Sequence, residues 1–255
     1  MLRFGEFLYR NCFFVYRPLY FLYKSISEKN QIKLFRMLID KGDVVMDAGA
    51  NIGFYTRIFS SCVGENGTVL AFEPEPENFK HLKNFSYPYN NVEVFPYAVS
   101  NEEKETFFYC SDRYNVDHRL YPDTHNQKKI SVQTVTLSRF INTQKPHFIK
   151  SDIQGYDFYA LLGMEKECKT VRDLAIFVEF WPYGLLKVGV NPTDMYNFFQ
   201  KEEGKLYWCK GKKLQVLPCE EFFEHVGTNN PDEYSDLLFV KGKYAEKIQN
   251  FIRTR

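Results

Sequence analysis

Hydrophobic positions change their period repeatedly along this chain, and the changes mark out its elements. Val44-Val45-Met46 is a short apolar run between turn signals, as in a strand buried on both faces. After Gly53 the apolar positions Tyr55, Ile58, Phe59, Cys62 and Val63 fall at helical spacing, and Gly64 supplies a stop. Thr68 to Phe72 reads as a second strand ending in Glu73. Pro74 and Pro76 open a helix carrying Phe79, Leu82 and Phe85, and Val92 to Phe95 is a third strand. Ala98-Val99 and Thr106 to Tyr109 flank the turn Asn101 to Lys104, which predicts a β-hairpin insertion. Ser111 to Lys129 is polar without apolar period, a loop long enough to be functional. Strands resume at 130–137, at Phe148 to Asp152 and at Leu174 to Glu179, with a helix after Gln154-Gly155 and another opened by Pro192-Thr193. Leu206 to Trp208 and Leu237 to Val240 show no clear crossover helix at their end, so an antiparallel edge is expected.

Strands alternating with helices predict an α/β fold with a doubly wound, mostly parallel sheet, an antiparallel edge strand and the hairpin insertion. Residues 1–40 read as a helical, aromatic-rich extension, and residues 41–255 as the sheet domain. Within residues 1–25, Arg3, Glu6, Arg10, Arg17 and Lys24 interrupt every apolar run, so none reaches the length of a membrane span. Three fates suit that segment: packing over the substrate side, contact with a second subunit, or peripheral membrane contact through a basic, aromatic face.

Composition narrows the partners. The chain has 255 residues and a net charge of +1, so no global field draws it to nucleic acid. Aromatic residues make up 18%, and most of them must be core. The six cysteines include no C-x-x-C pair, which suits reduced thiols in a cytoplasmic protein without a zinc site.

The chemistry centres on the turn after the first strand. Its pattern is Asp47-x-Gly49-x-x-x-Gly53, which differs from the G-x-G-x-x-G spacing of a dinucleotide site. A carboxylate there would repel a pyrophosphate but suits a ligand with positive charge. S-adenosylmethionine has an ammonium, a sulfonium and a ribose, with Gly49 and Gly53 under its amino-acid portion. Glu73 could accept hydrogen bonds from both ribose hydroxyls, although it would serve NAD equally well. Carboxylates at the ends of four strands (Asp47, Glu73, Asp152 and Glu179) would face one crevice.

The chain resembles the FkbM family of S-adenosylmethionine-dependent methyltransferases. The likeness rests on Asp47-Ala-Gly-Ala-Asn-Ile-Gly-Phe-Tyr-Thr56, Ala71-Phe-Glu-Pro74, Asp117-His-Arg-Leu-Tyr121, Phe148-Ile-Lys-Ser-Asp-Ile-Gln-Gly155 and Glu179-Phe-Trp-Pro182. It implies a Rossmann-like class I methyltransferase fold and cofactor contacts from Asp47, Gly49, Asn51, Gly53, Tyr55, Thr56 and Glu73. A hydroxyl acceptor on a carbohydrate, glycoconjugate or related natural product is implied by the same likeness. The family commonly has Glu where this chain has Asp157, and Asp where it has Ser138. Candidate bases are His118, Asp152 and Asp117, with Arg119 and Asp157 on the acceptor side. No metal is expected, although Asp117, Asp152 and Asp157 together would be the set to hold a divalent ion. The other readings are an NAD-dependent oxidoreductase and a non-catalytic Rossmann-like binding module.

Overall fold

The computed structural model describes residues 2–110, 119–122, 127–211 and 213–253. Three helices come first: α1 (Leu2–Asn11), α2 (Phe13–Ser27) and α3 (Lys29–Leu38). The glycine turn then joins β1 (Val44–Ala48) to α4 (Phe54–Val63), followed by β2 (Thr68–Phe72), α5 (Pro76–Ser86) and β3 (Val92–Phe95). An inserted unit holds β4 (Tyr97–Val99), β5 (Glu105–Cys110) and β6 (Lys128–Val135), after which α6 (Ser138–Gln144) returns the chain to β7 (Phe148–Ser151). The second half runs through α7 (Asp157–Leu162), α8 (Glu165–Thr170), β8 (Leu174–Phe180), α9 (Pro182–Lys187) and α10 (Pro192–Gln200). It closes with β9 (Lys205–Lys210), β10 (Lys213–Val216), α11 (Glu220–Val226), β11 (Ser235–Lys241) and α12 (Lys243–Arg253).

Eight strands form the main sheet in the order β10-β9-β11-β8-β7-β1-β2-β3. The five strands from β3 to β8 are parallel, and β11, β9 and β10 add an antiparallel side. The chain moves outward from β1 to β3 and then restarts at β7 on the other side of β1. That reversal opens a crevice at the carboxyl ends of β1 and β7, where open α/β sheets bind ligands.

Successive residues of each strand feed opposite faces of the sheet. Val45, Val69 and Phe148 pack under α3 and α4, with Phe35 and Phe59, while Met46, Leu70 and Ile149 pack under α7 and α10, with Leu161 and Met195. Phe35 is fully buried and meets Phe59, Phe148 and Phe177 edge-on at 4.8–5.4 Å. A ring held this way stabilises the fold by roughly 3–5 kcal/mol. So α3, although it precedes the first strand, is part of the sheet's own core.

The insertion departs from the pairing that the sequence predicts. Ala98-Val99 and 106–109 do not pair with each other; β6 lies between β4 and β5, parallel to the first and antiparallel to the second. Thr134 on β6 decides this. Its hydroxyl donates to the Glu102 carbonyl at 2.8 Å and accepts from the Lys104 amide at 3.0 Å, so the expected turn is bound to β6. The antiparallel hairpin is therefore β5 with β6.

Helices α1 and α2 lie on α5. Tyr9 donates its hydroxyl to Asn78 at 2.7 Å, and the Phe13 ring stacks on His81 at 3.4 Å. Phe21 is buried edge-on against Phe54 and Phe85, which fixes α2 beside the glycine turn.

Candidate active site

The turn between β1 and α4 is built from left-handed backbone: φ is +78° at Gly49, 51° at Asn51 and +91° at Gly53. A Cβ on Gly49 would stand 2.1 Å from the Asp152 carbonyl oxygen, so only glycine lets the exits of β1 and β7 touch. The amides of Gly49 and Ala50 both donate to the Phe72 carbonyl at 3.0 Å. The Asn51 amide donates to one oxygen of Glu73 at 2.8 Å, and the Glu75 amide to the other at 2.9 Å. Glu73 is thereby fixed at the crevice with one lone pair of each oxygen still uncommitted to backbone. Burial pushes its carboxyl up to about 8 despite those two donors.

The predicted cofactor residues divide into two layers. Gly49, Asn51, Tyr55 and Glu73 line a cavity of about 1180 Å³. Asp47, Gly53 and Thr56 lie behind that wall. The Asp47 side chain is wholly buried, accepts the Thr56 hydroxyl at 2.7 Å and has Lys150 Nζ at 3.8 Å. Its part is to set the end of β1 against the first turn of α4.

Asp152 lines the same cavity just beyond β7. It accepts from Lys150 Nζ at 3.4 Å and Gln154 Nε2 at 3.2 Å. Burial alone would raise its carboxyl, but the Lys150 and Lys24 charges outweigh burial and hold it below the usual carboxylate range. Burial alone would lower the pKa of the Lys150 ammonium, but the Asp152 and Asp47 charges outweigh burial and raise it, which favours the charged form over a proton acceptor. Asp157 lies beneath the turn, where it accepts the Ser151 hydroxyl at 2.6 Å and the Ile153 and Gly155 amides at 3.2 and 3.3 Å. Burial pushes it up to about 7. It holds the turn that carries Asp152 and does not line the cavity.

Arg119 reaches the cavity from the insertion, where its backbone exchanges two hydrogen bonds with Tyr109, at 2.7 and 3.0 Å. Its guanidinium lies 4.8 Å from the centre of the Trp181 ring. Asp117 and His118, the two remaining catalytic candidates, lie outside the described residues, as does His125. Among the described residues no group of three His, Cys, Asp or Glu side chains has the geometry to hold a metal ion.

Several lining residues carried little signal in the sequence. Glu179 had some, as a strand-end acid; its Oε2 is buried without a hydrogen-bond partner among the described residues. Burial, then Asp152, Asp157 and Asp236, raise its carboxyl well above the usual range. Asp236 stands opposite Glu179 on β11 and is pushed up to about 8, first by burial. Gln31 on α3 donates to Asp236 at 2.7 Å and accepts from the Tyr55 hydroxyl at 2.6 Å, tying the N-terminal helices to both sides of the site. Tyr20, Tyr23 and Lys24 of α2 complete the wall, and nothing in their spacing announced it.

Residues 47–207 match the family model described as the methyltransferase FkbM domain. The chain belongs to the FkbM methyltransferase family. The hexuronic acid methyltransferase AglP of Haloferax volcanii is 24% identical over 174 residues, which is 66% of this chain and 66% of that protein. This chain thus aligns with slightly less than two thirds of that relative's length. A protein-L-isoaspartate O-methyltransferase of Methanococcus maripaludis is 38% identical over 58 residues, 22% of this chain and 27% of that one. Among solved structures, a SAM-dependent methyltransferase from Aquifex aeolicus aligns with a TM-score of 0.48 and 14% identity, over 86% of this chain and 93% of that one.

The matched domain of this chain is a methyltransferase FkbM domain, and the likeness implies S-adenosylmethionine as its cofactor. Its residues fit that cofactor. The turn presents no lysine or arginine of its own to a pyrophosphate, and the carboxyls of Glu73 and Asp152 suit a diol and a cation. Carboxyls raised by burial become easier to ionise once a positive charge lies beside them.

Proposed function

We infer that this methyltransferase transfers its methyl group to a hydroxyl of a carbohydrate, glycoconjugate or related natural product. The observation that carries this reading is the make-up of the wall beyond Asp152. There Trp181, Tyr183 and Tyr234 offer ring faces, Asp152 and Glu179 offer carboxyl oxygens, and Arg119 offers a buried guanidinium. Ring faces with hydrogen-bonding acids suit a sugar, and Arg119 would favour an anionic one, as in the hexuronic acid named for AglP.

S-adenosylmethionine supplies a methyl carbon on a sulfonium, open to in-line displacement. The protein's task is then to align the acceptor oxygen and take its proton. Asp152, held as a carboxylate by Lys150, orients the acceptor through a hydrogen bond. His118, or Glu179 with its Oε2 unpartnered among the described residues on the cavity wall, takes the proton, because a base must stand within hydrogen-bond reach of the acceptor. Tyr20, Tyr23 and Lys24 give residues 1–40 the part of an acceptor-side cover. The six free cysteines suit work in the cytoplasm.

The test is transfer of labelled methyl from S-adenosylmethionine to uronic acid-containing and neutral glycans, with the product mapped by mass spectrometry. An O-methyl ether on a sugar, favoured on the uronic acid, is expected. Label on nitrogen or on protein would overturn the reading. Glu179→Gln and His118→Ala should separate the two bases: the true one lowers turnover roughly 10²- to 10⁴-fold while cofactor affinity persists.

A further inference from the structure

Among the described residues thirteen large hydrophobic side chains are exposed, and six of them fall between Phe7 and Ile26. On α2, Leu19, Leu22 and Ile26 are 52%, 60% and 65% exposed at spacings of three and four, so they form one stripe along the helix. Two different features border it. On one flank Tyr20, Tyr23 and Lys24 line the mouth of the active-site cavity. On the other, Ser25 joins a separate pocket of about 280 Å³ whose rim carries Lys29, Lys33, Arg36 and Arg57. That pocket is lined by no carboxylate, and among the described residues none of its four cations is in an ion pair. Such a concentration is local, because the whole chain has a net charge of only +1.

We propose that this face docks on an anionic lipid bilayer. The apolar stripe would enter the boundary between headgroups and acyl chains, and lipid phosphates would meet the basic pocket beside it. The charge pattern favours a bilayer over a second copy of the chain. A two-fold interface on this patch would bring the same four cations of each copy together. Because α2 shares one side with the cavity, docking would hold the cavity mouth at the membrane surface.

Vesicle flotation tests this without reference to methyl transfer. The chain should float with phosphatidylcholine vesicles that contain phosphatidylglycerol, should not float with phosphatidylcholine alone, and should be released as salt is raised. Lys33→Gln with Arg36→Gln should weaken binding about tenfold or more. Leu22→Ser with Ile26→Ser should weaken it by a similar factor. All four sites are on the surface and outside the cavity, so melting temperature and S-adenosylmethionine affinity should match wild type. Equal flotation with both vesicle types, or wild-type flotation by either double variant, would overturn the proposal. So would light scattering in which Leu22→Ser with Ile26→Ser converts a dimer to a monomer.

Discussion

The sheet carries carboxylates at both ends, and three at the carboxyl end are treated in the opposite way to the pair at the amino end. At the amino end, Asp43 accepts from the Asp40 amide at 2.8 Å, the Tyr244 hydroxyl at 2.8 Å and Lys243 Nζ at 3.0 Å. Asp40 accepts from Lys247 at 2.6 Å and Lys243 at 3.1 Å. Helix α12 thus closes that end with a satisfied clamp. At the carboxyl end, Glu73, Glu179 and Asp236 share the cavity wall with few donors, and each is raised by burial. A fully paired acid contributes to stability, whereas an under-paired one costs stability until a ligand arrives. The difference marks which end is for holding the fold and which is for binding.

The strongest way to break this comparison is to titrate stability. Glu73 and Asp236 are held up to about 8 and Asp157 up to about 7, each first by burial, so the folded chain keeps protons that the unfolded chain releases. Their contribution is full below the ordinary carboxylate range and is lost as pH rises toward about 8. Each retained proton accounts for up to about 1.4 kcal/mol per pH unit. Asp40 has the opposite sign. Burial would raise it, but hydrogen bonds from Lys247 and Lys243 lower it, so its contribution is lost as pH falls below its ordinary value. Denaturant unfolding of the cofactor-free chain should therefore be hardest in mildly acidic solution, near pH ~5, and Glu179→Gln should flatten the decline toward pH ~8. A profile that rises from about pH 5 to about pH 8 would mean that the carboxyl-end acids are paired after all.

A smaller effect sharpens the comparison at one residue. On the proposed contact with the cofactor, Glu73→Ala removes the acceptor of a charged hydrogen bond, worth about 1.5–3 kcal/mol, or roughly ten- to a hundredfold in affinity. Titration calorimetry with S-adenosylmethionine measures it. Unchanged affinity would make Glu73 a clamp for the Asn51 and Glu75 amides only.

How much of this was legible depended on how local the signal was. The strand, turn and helix around Gly49 follow from residues adjacent in sequence, and so do Glu73 and Asp152 at their strand ends. The exchange of partners among β4, β5 and β6 was hidden, because it turns on Thr134 reaching a turn some thirty residues away. Gln31 was hidden for the same reason: its partners are Tyr55 and Asp236, and no spacing in the chain links the three. Asp47, Thr56 and Asp157 read as ligand contacts from their motifs, yet their carboxyl and hydroxyl groups are bonded to one another and to the backbone behind the wall. A motif records which residues a site needs without separating those that touch the ligand from those that hold the ones that do.

The smallest expected effect is at the amino end and tests whether the two ends are independent. Tyr244→Phe deletes one hydroxyl and keeps a ring that is completely buried and flanked by Lys243 and Lys247 at 4.8 and 5.5 Å. The Asp43 oxygen that loses this donor keeps the Asp40 amide at 2.8 Å, and its other oxygen keeps Lys243 at 3.0 Å. Because the acid remains paired, the loss should be close to that of one net hydrogen bond, about 1 kcal/mol. For a chain of this size that lowers the melting temperature by roughly 2–4 °C. Asp43 precedes the strand and Gly49 follows it, so about 20 Å of extended backbone separates the clamp from the cofactor turn. Affinity for S-adenosylmethionine should then equal that of wild type. A variant that melts as expected but binds the cofactor several-fold more weakly would show that strain passes along β1 between the ends, and that the clamp belongs to the active site.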